Sequence, residues 1–187
     1  MRTVSALALM TLPLLAACGG ADEPVDPAED GMAGDEVAMA TPREATAMLV
    51  TADGEAVGAV TATGSAGGVT LAIEAMNMPA GTHGVHVHQT GACAPDFTAA
   101  GGHWNPDSSM HGLEGDDGQH AGDMPNLEIA EDGTGSLQYM LAASATWDGL
   151  MDEDGSAFIV HSGPDDQMTD PSGESGDRIA CGVFSAS

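Results

Sequence analysis

Three of the chain's seven histidines, His83, His86 and His88, fall within six positions, and a cysteine, Cys93, follows closely. His86 and His88 stand two apart in a run that reads as a strand, so their imidazoles project from one face, as two ligands of one ion must. His83 has the opposite parity and reads as a structural histidine. A second group, in GGHWNPDSSMHGLEGDDGQHAGD, comprises His103, His111, His120 and Asp123. Three imidazoles and one carboxylate make a tetrahedral N3O set that suits Zn2+. A hydrophilic loop would account for the aspartates there, but not for three histidines within 18 positions.

Something rigid has to hold those side chains. Alternating or apolar runs separated by turn signals predict strands over 47–51, 56–62, 68–75, 84–89, 127–130, 135–142, 156–161 and 178–184. Eight short strands and no convincing amphipathic helix predict an all-β protein, an antiparallel barrel or sandwich. Two long segments, 90–126 and 162–177, interrupt the strands and carry His103, His111, His120, Asp123, Asp165 and Asp166. Loops of that length in a compact domain are usually functional or disordered, and their content favours function.

Composition narrows the partners. Lys+Arg total 3 against 29 Asp+Glu, a formal charge of -26 with no lysine at all, which argues against nucleic acid or an anionic membrane surface. The first twenty residues, MRTVSALALMTLPLLAACGG, carry one cation and then an apolar run too short to span a bilayer comfortably, as an export signal does. Its end, Leu15-Ala16-Ala17-Cys18, resembles the bacterial lipobox, which would make residues 1–17 a lipoprotein signal and Cys18 the acylated N-terminus; an ordinary cleaved signal with an incidental cysteine is the alternative. Removing residues 1–17 leaves two arginines against 29 acids, or -27. Residues 18–44, rich in Gly, Pro, Ala and acids and without periodicity, read as a disordered acidic tether, and 45–187 as the folded domain. With Cys18 assigned to lipid, Cys93 and Cys181 are the only thiols left in an oxidising compartment and are expected to pair.

The ordered motifs GTHGVHVHQTGAC, AAGGHWNP, the spaced His111 and His120 followed by GDMPN, HSGPDD, and GDRIACGVF resemble the signatures of copper/zinc superoxide dismutases, over nearly all of 45–187. The short gap from His88 to Cys93 is similar to the bacterial branch. The resemblance implies an eight-stranded antiparallel Greek-key β-barrel, an immunoglobulin-like sandwich in architecture, with two long functional loops. It implies an enzyme that dismutes superoxide to oxygen and hydrogen peroxide. Copper would sit at His86, His88, His103 and His161, and zinc at His103, His111, His120 and Asp123, with His103 shared and catalytic. Asp165 would join His86 and His111 by hydrogen bonds from behind the metals, with Asp166 a solvated loop acid. Arg178 would guide the superoxide anion, although a pairing with Asp177 or Glu174 is the plainer reading of an arginine in so acidic a chain. The expected setting is the periplasmic side of a bacterial envelope, with the outer membrane weakly favoured and the lipid anchor as the only membrane contact. Both a monomer and a homodimer fit the sequence.

Overall fold

The computed structural model describes residues 42–115 and 118–187; the stretch read as a signal, Cys18 and most of the stretch read as a tether lie outside the described residues. Ten strands form among the described residues: β1 (Arg43–Val50), β2 (Ala56–Ser65), β3 (Gly68–Ala75), β4 (Gly81–His83), β5 (Val85–His88), β6 (Leu127–Ile129), β7 (Gly135–Met140), β8 (Ala157–His161), β9 (Arg178–Val183) and β10 (Ser185–Ala186). All pair antiparallel. The main sheet runs β5-β8-β9-β1-β2-β3-β7 with β10 beside β1, and β4 pairs β6 separately. Its order departs from chain order at β5–β8, β9–β1 and β3–β7, as Greek-key connections require.

Alternation explains the inner face. Ala45, Ala47 and Leu49 on β1, Val57, Val60 and Ala62 on β2, and Val69, Leu71 and Ile73 on β3 all enter one buried cluster. The opposite face of those strands meets solvent, and Met48 there is 60% exposed. β5 and β8 differ, because every one of their residues is buried. Val85, Val87, Phe158 and Val160 face the shared core. His86 and His88 point the other way, opposite Ile159 and Ala157 in the register.

Four details depart from the expected strands. β1 begins at Arg43, so Arg43 and Glu44, read as the end of the tether, are strand residues. The run expected over 84–89 is shortened to Val85–His88, and a separate strand not expected from the sequence, β4, precedes it with His83 against Leu127. The short β10 has too little pattern to be seen in sequence. Two one-turn elements, a 3₁₀ turn at Phe97–Ala100 capped by Asp96 and a helical turn at Trp147–Leu150 capped by Thr146, lie in connections.

Candidate metal centre

The long loops cover the face of β5 and β8 that carries the histidines. The first loop adds to the free edge of β5: Gln89 N–H donates to Gly102 O at 3.1 Å and Trp104 N–H to Val87 O at 2.9 Å. His103 lies between those contacts, opposite His88. Further on, Val87 N–H donates to Gly122 O at 3.0 Å. A Cβ at Gly122 would stand 2.2 Å from Val87 O, so only glycine lets the loop lie this close. Asp123 is thereby fixed one residue from a strand edge. The second loop crosses above it: Gly173, at φ +63, passes so near Asp165 and His111 that a Cβ would stand 1.7 Å from Asp165 Oδ1.

His86, His88, His103 and His161, buried to 7% exposure or less, each offer one ligand atom within 4.8 Å of the other three. The orientation of each ring follows from what its other nitrogen does. His86 Nε2–H donates to Asp165 Oδ2 at 2.7 Å, His88 Nδ1–H to Gly101 O at 2.9 Å, and His161 Nδ1–H to Gly176 O at 3.1 Å. Those bonds assign the tautomers and leave His86 Nδ1, His88 Nε2 and His161 Nε2 as lone-pair nitrogens. These three, with His103 Nε2, are buried and have no hydrogen-bond partner. Four orphaned acceptors in one place are the donor set that a copper ion satisfies. Electrostatics agrees. Burial comes first in lowering the pKa of His86 to about 3, of His88 to about 2 and of His161 to about 4, so all three are neutral and able to coordinate at physiological pH.

The second set is built around one oxygen. Asp123 Oδ1 lies 2.9 Å from His103 Nδ1, 3.1 Å from His111 Nδ1 and 3.2 Å from His120 Nδ1, and the His120 and His103 nitrogens are 3.4 Å apart. Those separations match the edges, about 3.3 Å, of a tetrahedron with metal–ligand bonds of about 2.0–2.1 Å. The donors therefore fit zinc. Asp123 Oδ2 accepts from Gly112 N–H at 2.8 Å and His120 N–H at 3.0 Å, which aims the other oxygen inward. Burial alone would raise the Asp123 carboxyl, but its contacts with His103, His111, His120 and Gly112 hold it far below the usual carboxylate range. Burial would likewise lower His111, yet Asp123 and Asp165 outweigh it and raise that ring to about 9.

Asp165 stands behind both sets, its Oδ1 3.0 Å from His111 Nε2 and its Oδ2 on His86. Its backbone is clamped by Asn126, whose Nδ2 donates to Asp165 O at 2.9 Å and whose Oδ1 accepts from Asp165 N–H at 2.8 Å. Asn126 was not singled out from the sequence, where only its place in GDMPN hinted at it. Asp166 is spent on its own loop, accepting from Met168 N–H, Thr169 N–H and Thr169 Oγ1. His83, as its parity suggested, faces away from both sets, with ring nitrogens 2.7 Å from His161 O and 2.9 Å from Pro79 O.

Arg178 pairs with neither Asp177 nor Glu174. Its Nη1 donates to Phe97 O and its Nη2 to Gly101 O, both at 2.6 Å. Gly101 O is also the acceptor for His88, so one carbonyl fixes the guanidinium relative to that ring. Among the described residues the other cation, Arg43, is occupied by Asp148 at 2.7 Å and lies over the Trp147 ring. A cavity of about 220 Å³ is lined by His88, His103, His161, Ser172 and Arg178, among others. A larger hollow of about 710 Å³ opens on another side of Arg178, against Pro95 and Phe97, and no histidine lines it. The Cys93–Cys181 disulfide is present, spanning 88 positions with Cα atoms 5.9 Å apart, and it ties the Phe97–Gly101 segment to β9, the strand that carries Arg178.

The family model described as copper/zinc superoxide dismutase matches residues 56–184. The chain is 39% identical over 147 residues to the Cu-Zn superoxide dismutase of Caulobacter vibrioides, covering 75% of this chain and 84% of that protein. It is 38% identical over 141 residues to Cu-Zn superoxide dismutase 1 of Aquifex aeolicus, with coverage of 72% and 83%. Among solved structures, the Cu/Zn superoxide dismutase from Brucella abortus superposes with a TM-score of 0.63 at 30% identity, over 76% of this chain and 99% of that one. A superoxide dismutase-like protein from Bacillus subtilis gives 0.68 at 39% identity, over 74% and 96%. The chain belongs to the copper/zinc superoxide dismutase family, oxidoreductases that use copper and zinc.

Proposed function

We propose that this family member carries out its dismutation with copper held by His86, His88, His103 and His161, and with zinc held by His103, His111, His120 and Asp123. The observation behind the assignment is the convergence of four buried, partnerless imidazole nitrogens whose rings are held from behind. Bound copper would supply the one-electron couple needed to turn two superoxide ions and two protons into oxygen and hydrogen peroxide, while zinc, with no accessible redox change, would supply fixed charge. Arg178 draws the anion into the 220 Å³ cavity and hydrogen-bonds it there. Among the described residues its charge is spent on no carboxylate, since both bonded partners are carbonyls. Of the four rings in the copper set, His103 alone has its second nitrogen turned to Asp123 and the other histidines of that group. Its Nε2 is therefore the place to hold a proton for the reduced product.

The test is metal analysis and superoxide consumption by the purified, reconstituted protein. One copper and one zinc per chain with rapid superoxide loss is expected. Copper retained without turnover would point instead to a metal-storage protein, and zinc without copper to a structural zinc module.

The cellular setting is part of the same proposal. Residues 1–17 act as a lipoprotein signal, Cys18 carries the lipid, and residues 18–42 tether the catalytic part to the envelope on its periplasmic side, where it removes external superoxide. Among the described residues no helix is long and apolar enough to cross a membrane. Incorporation of labelled palmitate that is lost in Cys18→Ser supports the anchor; labelling that survives the substitution refutes it.

A further inference from the structure

Ligand imidazoles work in a fixed orientation only if the nitrogen away from the metal is held. In this site the rule is met ring by ring, with Asp165 behind His86 and His111, Gly101 O behind His88 and Gly176 O behind His161. His103 uses both nitrogens within the two sets. His120 is the exception: its Nδ1 faces Asp123 and His103, and its Nε2 makes no hydrogen bond among the described residues. One acidic oxygen stands within reach of it, Asp170 Oδ1, at 4.0 Å. That same oxygen accepts from His111 N–H at 2.7 Å, so the carboxylate is already anchored to the loop that carries the neighbouring ligand.

We propose that Asp170 is a positioning residue for the zinc half of the site, a second carboxylate that orients His120 as Asp165 orients His86 and His111. At 4.0 Å the contact closes through a small rotation or a bridging water. The consequence reaches the cavity, because the next two residues, Pro171 and Ser172, are part of its wall. Asp170 thus ties zinc occupancy to the wall of the substrate channel. None of the other acids on its loop stands by His120: Asp165 is spent on His86 and His111, Asp166 caps its own turn, and Glu174 and Asp177 are exposed with no side-chain hydrogen bond or ion pair among the described residues.

This inference rests on the zinc reading above and is tested apart from it. The copper- and zinc-loaded wild type is compared with Asp170→Asn and with Glu174→Gln, which removes the same charge from the same loop. Asparagine keeps an acceptor for His111 N–H and removes the charge facing His120. Zinc affinity, read by competition with a chromophoric chelator, should fall about 10-fold or more in Asp170→Asn and stay within about 2-fold of wild type in Glu174→Gln. With Co(II) in place of zinc, the visible absorption bands should shift in the first variant only. Equal zinc affinity in wild type and Asp170→Asn, or equal losses in both variants, overturns the role of Asp170. A wild type that takes up no zinc at His111 and His120 overturns the zinc assignment itself, a different and recognisable result.

Discussion

The two halves of the proposed metal centre are built from different material. On the copper side, His86 and His88 lie on β5 within its ladder to β8, and His161 ends β8 at a register shift against β9. On the zinc side, His111, His120 and Asp123 lie on a loop that takes strand-like pairing where it runs along β5, at Gly102–Trp104 and at Gly122. Strand residues inherit their directions from the pleat, so the copper half is arranged by the same forces that fold the barrel. The loop residues are aimed by local devices: Gly122 and Gly173 at close approaches, carboxylates behind the rings, and the disulfide. Metal should therefore organise the zinc half far more than the copper half.

The strongest way to break this contrast is at the ring both halves share. His103→Ala should lose both ions and fall to background activity, whereas His161→Ala should lose copper and activity but keep one zinc per chain; elemental analysis and superoxide assays check both outcomes. Next is the disulfide. Cys93→Ser with Cys181→Ser should remove at most about 4 to 5 kcal/mol for an 88-residue closure, measured by denaturant unfolding. The loss of activity should exceed the loss of bound copper, because the loosened segment is the one that holds Arg178. Arg178→Ala should lower kcat/KM about 10-fold or more and leave metal content unchanged.

Acidity separates the halves more gently. In the metal-free protein His86, His88 and His161 are depressed from 6.5, so unfolding takes up protons and stability must fall as pH drops below about 6.5 toward 4. His111 is raised to about 9, so its contribution is complete below 6.5 and is lost as pH climbs through 9. Urea midpoints of the metal-free protein should thus peak near neutrality. Zinc has to displace the His111 proton, so its affinity should rise with pH up to about 9, while copper affinity stays nearly flat between pH 5 and 8. The smallest effect expected is that of salt. With one free cation at the cavity on a chain of net charge -26, and a screening length of about 8 Å at 0.15 M, the rate should fall weakly with ionic strength or rise; a steep decline in pulse radiolysis would contradict this.

Much of this was legible in the residues. Parity placed His86 and His88 on one face and His83 off it, and alternating runs marked the stretches that became β1 to β3. What stayed hidden were contacts made by backbone atoms, which carry no signature of residue type. Gly101 O, which ties Arg178 to His88, is one such contact, and Phe97 O and Gly176 O are others. The strand β4 was equally silent, since the three residues Gly81–His83 are too few to show a pattern.

By itself the order of residues determined the donor inventory, the strand-and-loop grammar and the family motifs, because side-chain chemistry and periodicity are properties of types and spacing. Only the folded chain decided which lone pairs were left free and which backbone carbonyls stood behind His88, His161 and Arg178. Those outcomes depend on distances between residues as far apart as Arg178 and Phe97, and such distances are set by packing rather than by any local pattern.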